Sequence, residues 1–120
     1  MEDCSTSGAQ FASISGGEDN KASSTDASVS GGGYNTASGE GSSVSAGSGN
    51  IAGGGYSSVS GDYSSQAESS WDSVSGGVFN TAKGTESSVT GGLGNTAASI
   101  DSSIGGGCSL TRAPERRAAG

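Results

Sequence analysis

The 120-residue chain contains no histidine, one proline and one tryptophan, and only 5% of its residues are aromatic. The absence of histidine removes the commonest general base and the commonest metal ligand. Serine is abundant, but a serine nucleophile needs an adjacent base, and no such base is offered. The carboxylates are scattered over several positions of the repeat described below, so they are not expected to stack into a calcium ladder. We therefore expect a protein that is not an enzyme and that needs no cofactor or metal ion.

Positive charge and long hydrophobic runs are also scarce. Five basic residues stand against 12 acidic ones, and the resulting net charge of −7 argues against a nucleic-acid partner or an anionic membrane surface. No segment approaches the ~18 consecutive apolar residues of a membrane helix, so no membrane span is expected. The opening Met1-Glu2-Asp3 lacks the basic and apolar regions of a signal peptide, so none is expected in the sequence as written.

Hydrophobic residues make up 29% of the chain and 24 residues are glycine, a composition that without periodicity is typical of disorder. Two residue types nevertheless recur at an interval of 15. The first is a branched aliphatic residue, at Ile14, Val29, Val44, Val59, Val74, Val89 and Ile104. The second is alanine, at Ala22, Ala37, Ala52, Ala67, Ala82 and Ala97. Two columns of residues that keep the same 15-residue spacing argue against a random Ser/Gly sequence and predict an ordered repeat.

Each repeat contains a short Ser-Val-Ser strand, a Gly-Gly turn, a short Asn-Thr-Ala strand and a looser turn. Period-two alternation points the valine and the alanine inward. The sequence therefore predicts an all-β protein, a parallel β-solenoid of about seven 15-residue coils that spans residues 5–109. Residues 1–4 are predicted to be an N-terminal extension and residues 110–120 a disordered tail. The stacked asparagines are expected to bond the backbone of the turns.

Serine flanks the inward aliphatic residue on both sides, which predicts two parallel files of outward hydroxyl groups. Their residues are Ser13, Ser28, Ser43, Ser58, Ser73 and Ser88 before the aliphatic residue, and Ser15, Ser30, Ser45, Ser60, Ser75 and Thr90 after it. This regular array is the candidate binding face. The alternative is that serine is there because it is small, polar and compatible with tight stacking.

The aromatic residues all fall in the turn segments, where they cannot fill the interior of a coil. They are Phe11, Tyr34, Tyr56, Tyr63, Trp71 and Phe79. Because each coil has a thin core, lateral association of rods would bury additional apolar surface. These six residues are therefore the candidate contacts of a homo-oligomer. The alternative is that they only shield the edge of the core.

The alternation of S-V-S-G-G with N-T-A-x-G, across about residues 5–109, resembles the YadA-like head repeats of trimeric autotransporter adhesins. This resemblance implies a β-roll that trimerises, lies outside the cell or on its surface, and binds a host or matrix component. The expected function is that of a structural and binding module that mediates surface attachment.

A second stretch, NTASGEGSSVSAG at residues 35–47, resembles the repeat of the grass ice-binding solenoids. Alanine replaces the first valine of that repeat, and serine replaces its second asparagine. This resemblance implies ice as the partner of the flat Ser/Thr face. A third interpretation is an inactive fragment of a longer repeat protein.

Overall fold

The computed structural model describes residues 6–7 and 10–112, and every regular element within them is a short β-strand. One sheet has seven parallel strands, each containing the inward aliphatic residue, and we call it the valine sheet. Its strands are β2 (Ser13–Ile14), β4 (Ser28–Val29), β6 (Ser43–Val44), β9 (Ser58–Val59), β12 (Ser73–Val74), β14 (Ser88–Val89) and β16 (Ser103–Ile104). Residues one repeat apart pair directly, as Val44 does with Val59. The predicted β-solenoid of about seven coils is confirmed.

The opposite sheet has eight parallel strands, and we call it the alanine sheet. Its strands are β1 (Thr6–Ser7), β3 (Lys21–Ala22), β5 (Thr36–Ala37), β8 (Ile51–Ala52), β11 (Gln66–Ala67), β13 (Thr81–Ala82), β15 (Thr96–Ala97) and β17 (Thr111–Arg112). The last strand lies within the segment predicted to be a disordered tail, since Arg112 pairs with Ala97. Arg112 fits at the alanine position because its side chain is exposed at the end of the rod. The predicted extension at 1–4 and the rest of the tail lie outside the described residues.

A third ladder runs through the segment expected to be only a Gly-Gly turn. Strands β7 (Gly47–Ser48) and β10 (Asp62–Tyr63) pair in parallel. Single parallel bridges extend this ladder from Glu18 through Gly33 to Ser48, and from Tyr63 through Val78 and Leu93 to Cys108. The glycine-containing turn is therefore a third hydrogen-bonded side of each coil. Among the described residues no helix is long and apolar enough to cross a membrane.

The core between the two main sheets is closed within one chain. The valines of the inner coils and all the repeat alanines are at most 1% exposed. A further inward column, two residues before the aliphatic residue, was not predicted. Its members are Ala12, Ala27, Ser42, Ser57, Asp72, Ser87 and Ser102. The polar members are tolerated because most of them bond the adjacent turn, as Ser57 does by donating to the carbonyl of Gly54 at 2.7 Å.

The expected asparagine ladder is present and ties each coil to its neighbour. The Nδ2 of Asn35 donates to the carbonyl oxygens of Gly31, in its own coil, and Gly47, in the next, both at 3.0 Å. Its Oδ1 accepts the backbone N–H of Asn50, also at 3.0 Å. Asn20, Asn80 and Asn95 make the same set of bonds, the last to the backbone N–H of Leu110. Each of these side chains therefore satisfies three turn groups that would otherwise need water.

The ladder requires glycine at the turn beneath it. A Cβ on Gly32 would overlap the carbonyl oxygen of Gly47 and lie 2.7 Å from the Nδ2 of Asn35. One coil departs from both rules at once, because Asp62 stands at the glycine position and Ser65 at the asparagine position. In this coil the positive φ moves to Gly61, at 95°. The two exceptions fall in the same coil, where Ser65 carries no amide that would bond the turn as Asn35 does.

This coupling predicts that the two positions of the exceptional coil are not independent. We expect Ser65→Asn with Asp62→Gly to raise the free energy of unfolding by about 1 kcal/mol, because a restored asparagine adds hydrogen bonds of roughly that net value. Ser65→Asn alone should give no gain, since the turn then lacks the glycine that lies against the asparagine amide in the other coils. Urea unfolding of both single variants and the double variant measures the coupling. Equal gains from Ser65→Asn in either background would contradict the argument.

Candidate functional site

Each coil turns back at two edges, which we name for their composition given below. The acidic edge follows the alanine sheet and comprises residues 10–11, 25–26, 40–41, 55–56, 70–71, 85–86 and 100–101. The apolar edge follows the valine sheet and comprises residues 18–19, 33–34, 48–49, 63–64, 78–79, 93–94 and 108–109. The second residue of every pair has a φ between 51° and 69°. Five of the six aromatic residues occupy these positions, each at a cost of roughly 1 kcal/mol.

The positive φ reverses the direction of the backbone N–H. In the two main sheets an N–H donates to the following coil, as Ser28 does to the carbonyl of Ser42 at 2.9 Å. At the edges it donates to the preceding coil, as Tyr34 does to the carbonyl of Glu18 at 2.9 Å. The tyrosine side chain follows the same direction, because its hydroxyl donates to the Glu18 carboxylate at 3.1 Å. Side chains at the edge positions can therefore lie back over the coil before their own.

The acidic edge carries a stack of two rings. The Tyr56 ring lies over Gly41 of the preceding coil, where an added Cβ would be 2.7 Å from the ring. The Trp71 ring stacks on Tyr56 with a centroid distance of 4.7 Å and an interplanar angle of 13°. Tyr56 also directs its hydroxyl to Glu40, at 3.5 Å. Tyr56 and Trp71 are 52% and 59% exposed, so the stack is a surface feature.

A buried carboxylate stiffens the turn that holds the stack. Asp72, the residue after Trp71, is 1% exposed. One of its oxygens accepts the backbone N–H of Ser69 at 2.7 Å, and the other accepts the backbone N–H and the hydroxyl of Ser87 at 2.9 and 3.1 Å. The first bond closes the turn of its own coil, and the other two fix it to the next coil. Trp71 is therefore presented by a turn that is bonded on both sides.

The apolar edge holds the remaining ring pair. Tyr63 and Phe79 meet edge to face, with centroids 5.8 Å apart and planes at 88°. Val78 and Leu93 continue the ladder that begins at Tyr63, and Leu93 is 48% exposed. Three neighbouring coils thus present a continuous aromatic and aliphatic surface along this edge.

Charge divides the two edges. The acidic edge carries four carboxylates and no lysine or arginine at its described positions; the carboxylates are Asp26, Glu40, Glu86 and Asp101. The apolar edge carries Glu18 and Asp19 only, both at its first coil. Lys21 and Lys83 are exposed on the outer side of the alanine sheet. The carboxylates of the acidic edge are therefore spread over four coils, whereas those of the apolar edge stand only at its first coil.

The two hydroxyl files lie on the outer side of the valine sheet, as expected from the alternation. The file before the aliphatic residue is exposed at Ser13 and half-buried at Ser28, Ser43, Ser58, Ser73 and Ser88. The file after it is exposed throughout, at Ser15, Ser30, Ser45, Ser60, Ser75 and Thr90. Only the second file therefore stands fully in solvent.

The candidate oligomer contacts prove to form two separate groups. The turn phases place Phe11, Tyr56 and Trp71 on the acidic edge, and Tyr34, Tyr63 and Phe79 on the apolar edge. Two residues of the site were missed at the sequence level. Asp72 could have been found from the unbroken column of small inward residues that contains it. Glu40 could not, because its contact with Tyr56 requires the tyrosine side chain to lie over the preceding coil.

No protein-family model matches the chain, and a search of the curated proteins finds no similar sequence. Within the described residues, no three potential metal ligands among the histidine, cysteine and carboxylate side chains lie together. The geometry itself is therefore the basis for the functional proposals below.

Titration of the Tyr34 hydroxyl tests whether this side chain lies over the preceding coil and contacts Glu18. Its hydrogen bond to Glu18, and then the charges of Glu18 and Asp19, raise the pKa of the phenol above 10.0. The protonated phenol therefore stabilises the fold at lower pH, and this contribution is lost as the pH rises through the raised pKa. We expect Glu18→Gln to lower the pKa of Tyr34 toward 10.0. Tyrosinate absorbance, measured in a Tyr56→Phe, Tyr63→Phe background, reports this; an unchanged pKa would contradict the contact.

Proposed function

We propose that the chain is a non-enzymatic attachment module, similar in role to an adhesin head, that works at the cell surface or outside the cell. The observation that carries this proposal is that the rings remain exposed although the core is already closed. All six are between 52% and 76% exposed, so none of them is needed to cover valine or alanine. Because five of them also carry the cost of a positive φ, a role in binding explains them better than a role in folding.

The apolar edge is the surface that we assign to self-association. Tyr63, Val78, Phe79 and Leu93 are uncharged side chains on three neighbouring coils, and a second copy that covers them buries apolar surface. The acidic edge is a poor partner for its own copy, because like charges would face each other. Three rods joined along their apolar edges would leave three acidic edges in solvent. This arrangement agrees with the trimer that the resemblance implies.

Solution mass tests this arrangement. Light scattering coupled to size exclusion, under reducing conditions, should give a trimer for the intact chain and a monomer for a Tyr63→Ser, Phe79→Ser variant. The matched control, Tyr56→Ser with Trp71→Ser, removes two rings from the acidic edge and should remain trimeric. Beads coated with the chain should be retained on matrix-coated glass and not on albumin-coated glass. A monomer with no retention would overturn the proposal and leave an inactive repeat fragment.

Ice binding is the second candidate, and the exposed hydroxyl file favours it. Ser30, Ser45, Ser60 and Ser75 stand in register on a parallel sheet, and the rings lie at the edges rather than on this face. A regular and unobstructed face of this kind can match an ordered lattice of water. In that case a monomer with one bare face would be sufficient.

Replacement of the central hydroxyls separates the two candidates. Ser45→Tyr with Ser60→Tyr should abolish any inhibition of ice recrystallisation, because each ring would stand above the flat face, while bead retention stays unchanged. Recrystallisation is measured as the growth of ice grains in an annealed frozen film. If the wild-type chain does not slow grain growth, the ice-binding candidate fails.

A further inference from the structure

Among the residues that the structure describes, the Trp71 ring stacks on one aromatic partner, Tyr56. The stack runs from Gly41 through Tyr56 to Trp71, so each ring covers the coil before its own. One face of the indole is occupied by Tyr56, and the other is directed toward the coil of Glu86. Trp71 is 59% exposed, so the outer ring of the stack keeps more than half of its surface in solvent.

Carboxylates lie on both sides of the stack along the acidic edge. Asp26 and Glu40 precede it, and Glu86 and Asp101 follow it. With coils ~4.8 Å apart, Glu40 and Glu86 are about 14 Å from each other, and Asp26 and Asp101 are about 24 Å apart. An extended polypeptide of about seven residues covers the longer distance. The aromatic platform is thus centred in a straight row of negative charge.

We propose that the acidic edge binds an extended, arginine-bearing segment of a partner polypeptide. One guanidinium stacks on the free face of Trp71 and pairs with Glu86, and further arginines pair with the remaining carboxylates. The inference rests on the proposed function and names the chemistry of the partner that the module attaches to. The turn fixed by Asp72 holds the platform in place, so little order is lost when the partner binds.

Arginine fits this edge better than lysine. Its planar guanidinium can lie flat on an indole while its edge donates to a carboxylate, whereas an ammonium ion is more strongly hydrated and has no flat face. An anionic partner would meet four like charges, and an uncharged partner would leave the carboxylates unpaired. The absence of any basic residue from the described positions of the edge leaves these charges available to a partner.

The experiment titrates the intact chain with a seven-residue peptide of alternating arginine and serine. Trp71 is the only tryptophan of the chain, so its fluorescence reports on the platform directly. We expect saturable quenching, with affinity about threefold higher than for the lysine–serine peptide and about tenfold lower in high salt. A glutamate–serine peptide should leave the fluorescence unchanged. Equal affinity for the arginine and lysine peptides would overturn the stacking, and no saturable change would overturn the site.

Variants matched in charge locate the site. Glu40→Gln with Glu86→Gln should weaken the peptide by about fivefold, because each exposed pair is of modest strength. The control, Glu18→Gln with Asp19→Asn, removes the same charge at the apolar edge and should change affinity by less than about twofold. Equal losses in the two variants would show attraction by net charge alone and overturn the inference. Trp71→Leu, followed by calorimetry, should lose binding while its far-UV spectrum stays unchanged; if that variant does not fold, the glutamine variants still decide.

The peptide titration needs only the purified chain, so its result is independent of bead retention. If beads are retained while the arginine peptide fails to bind, the partner assignment is overturned and the attachment proposal stands. If the peptide binds at Trp71 but the beads are not retained, the site stands and the attachment proposal fails.

Discussion

The asparagine ladder is the constraint on which the rest of the solenoid depends. A two-residue strand and an inward pair of valine and alanine are too little to hold a 15-residue coil in register by burial alone. Asn35 adds three bonds to fixed partners: a carbonyl of its own turn, a carbonyl of the next turn and the next N–H of the column. Because the amide must reach the next coil, the turn beneath it needs glycine, and the Gly-Gly motif follows from the asparagine.

The two edges place far fewer limits on the size of a residue than the turn beneath the asparagine does. At the positions of positive φ the N–H turns back to the preceding coil, and the side chain points away from the core. A residue there can be as large as Trp71 or as small as Gly41 without disturbing the stack of coils. The inward positions of the sheets accept only small or branched residues in the inner coils, since any bulk would meet the rungs above and below. The exposed aromatic side chains therefore lie along two lines of the surface, the acidic edge and the apolar edge.

The sequence predicted the features that repeat every 15 residues and missed the contacts that depend on the direction in which an edge side chain points. The spacing of Val29 and Val44, and of Ala37 and Ala52, was sufficient for the parallel solenoid, because in-register stacking brings residues 15 apart together. The same spacing places the rings on two edges. It cannot show that Tyr56 bonds Glu40 or that Phe79 meets Tyr63, since both contacts join residues 16 apart and arise from the backward lean at positive φ. Asp72 was missed because an isolated carboxylate in a column of serines resembles a solvated charge.

The coil from Ser60 to Val74 combines most of the departures from the repeat. It lacks the asparagine and the turn glycine, it contains Tyr63 and Trp71, and it holds the buried Asp72. A fully regular array would place the consensus residues there, in the middle of the rod. Local rules that are broken together, with the loss covered by bonds such as those of Asp72, are expected where a surface is adapted to bind rather than to stack. The two ring pairs meet at this coil from opposite edges, because Tyr56 stacks on its Trp71 and Phe79 packs on its Tyr63. If this coil binds as proposed, the regular coils on either side hold it in place and carry the carboxylates beside it.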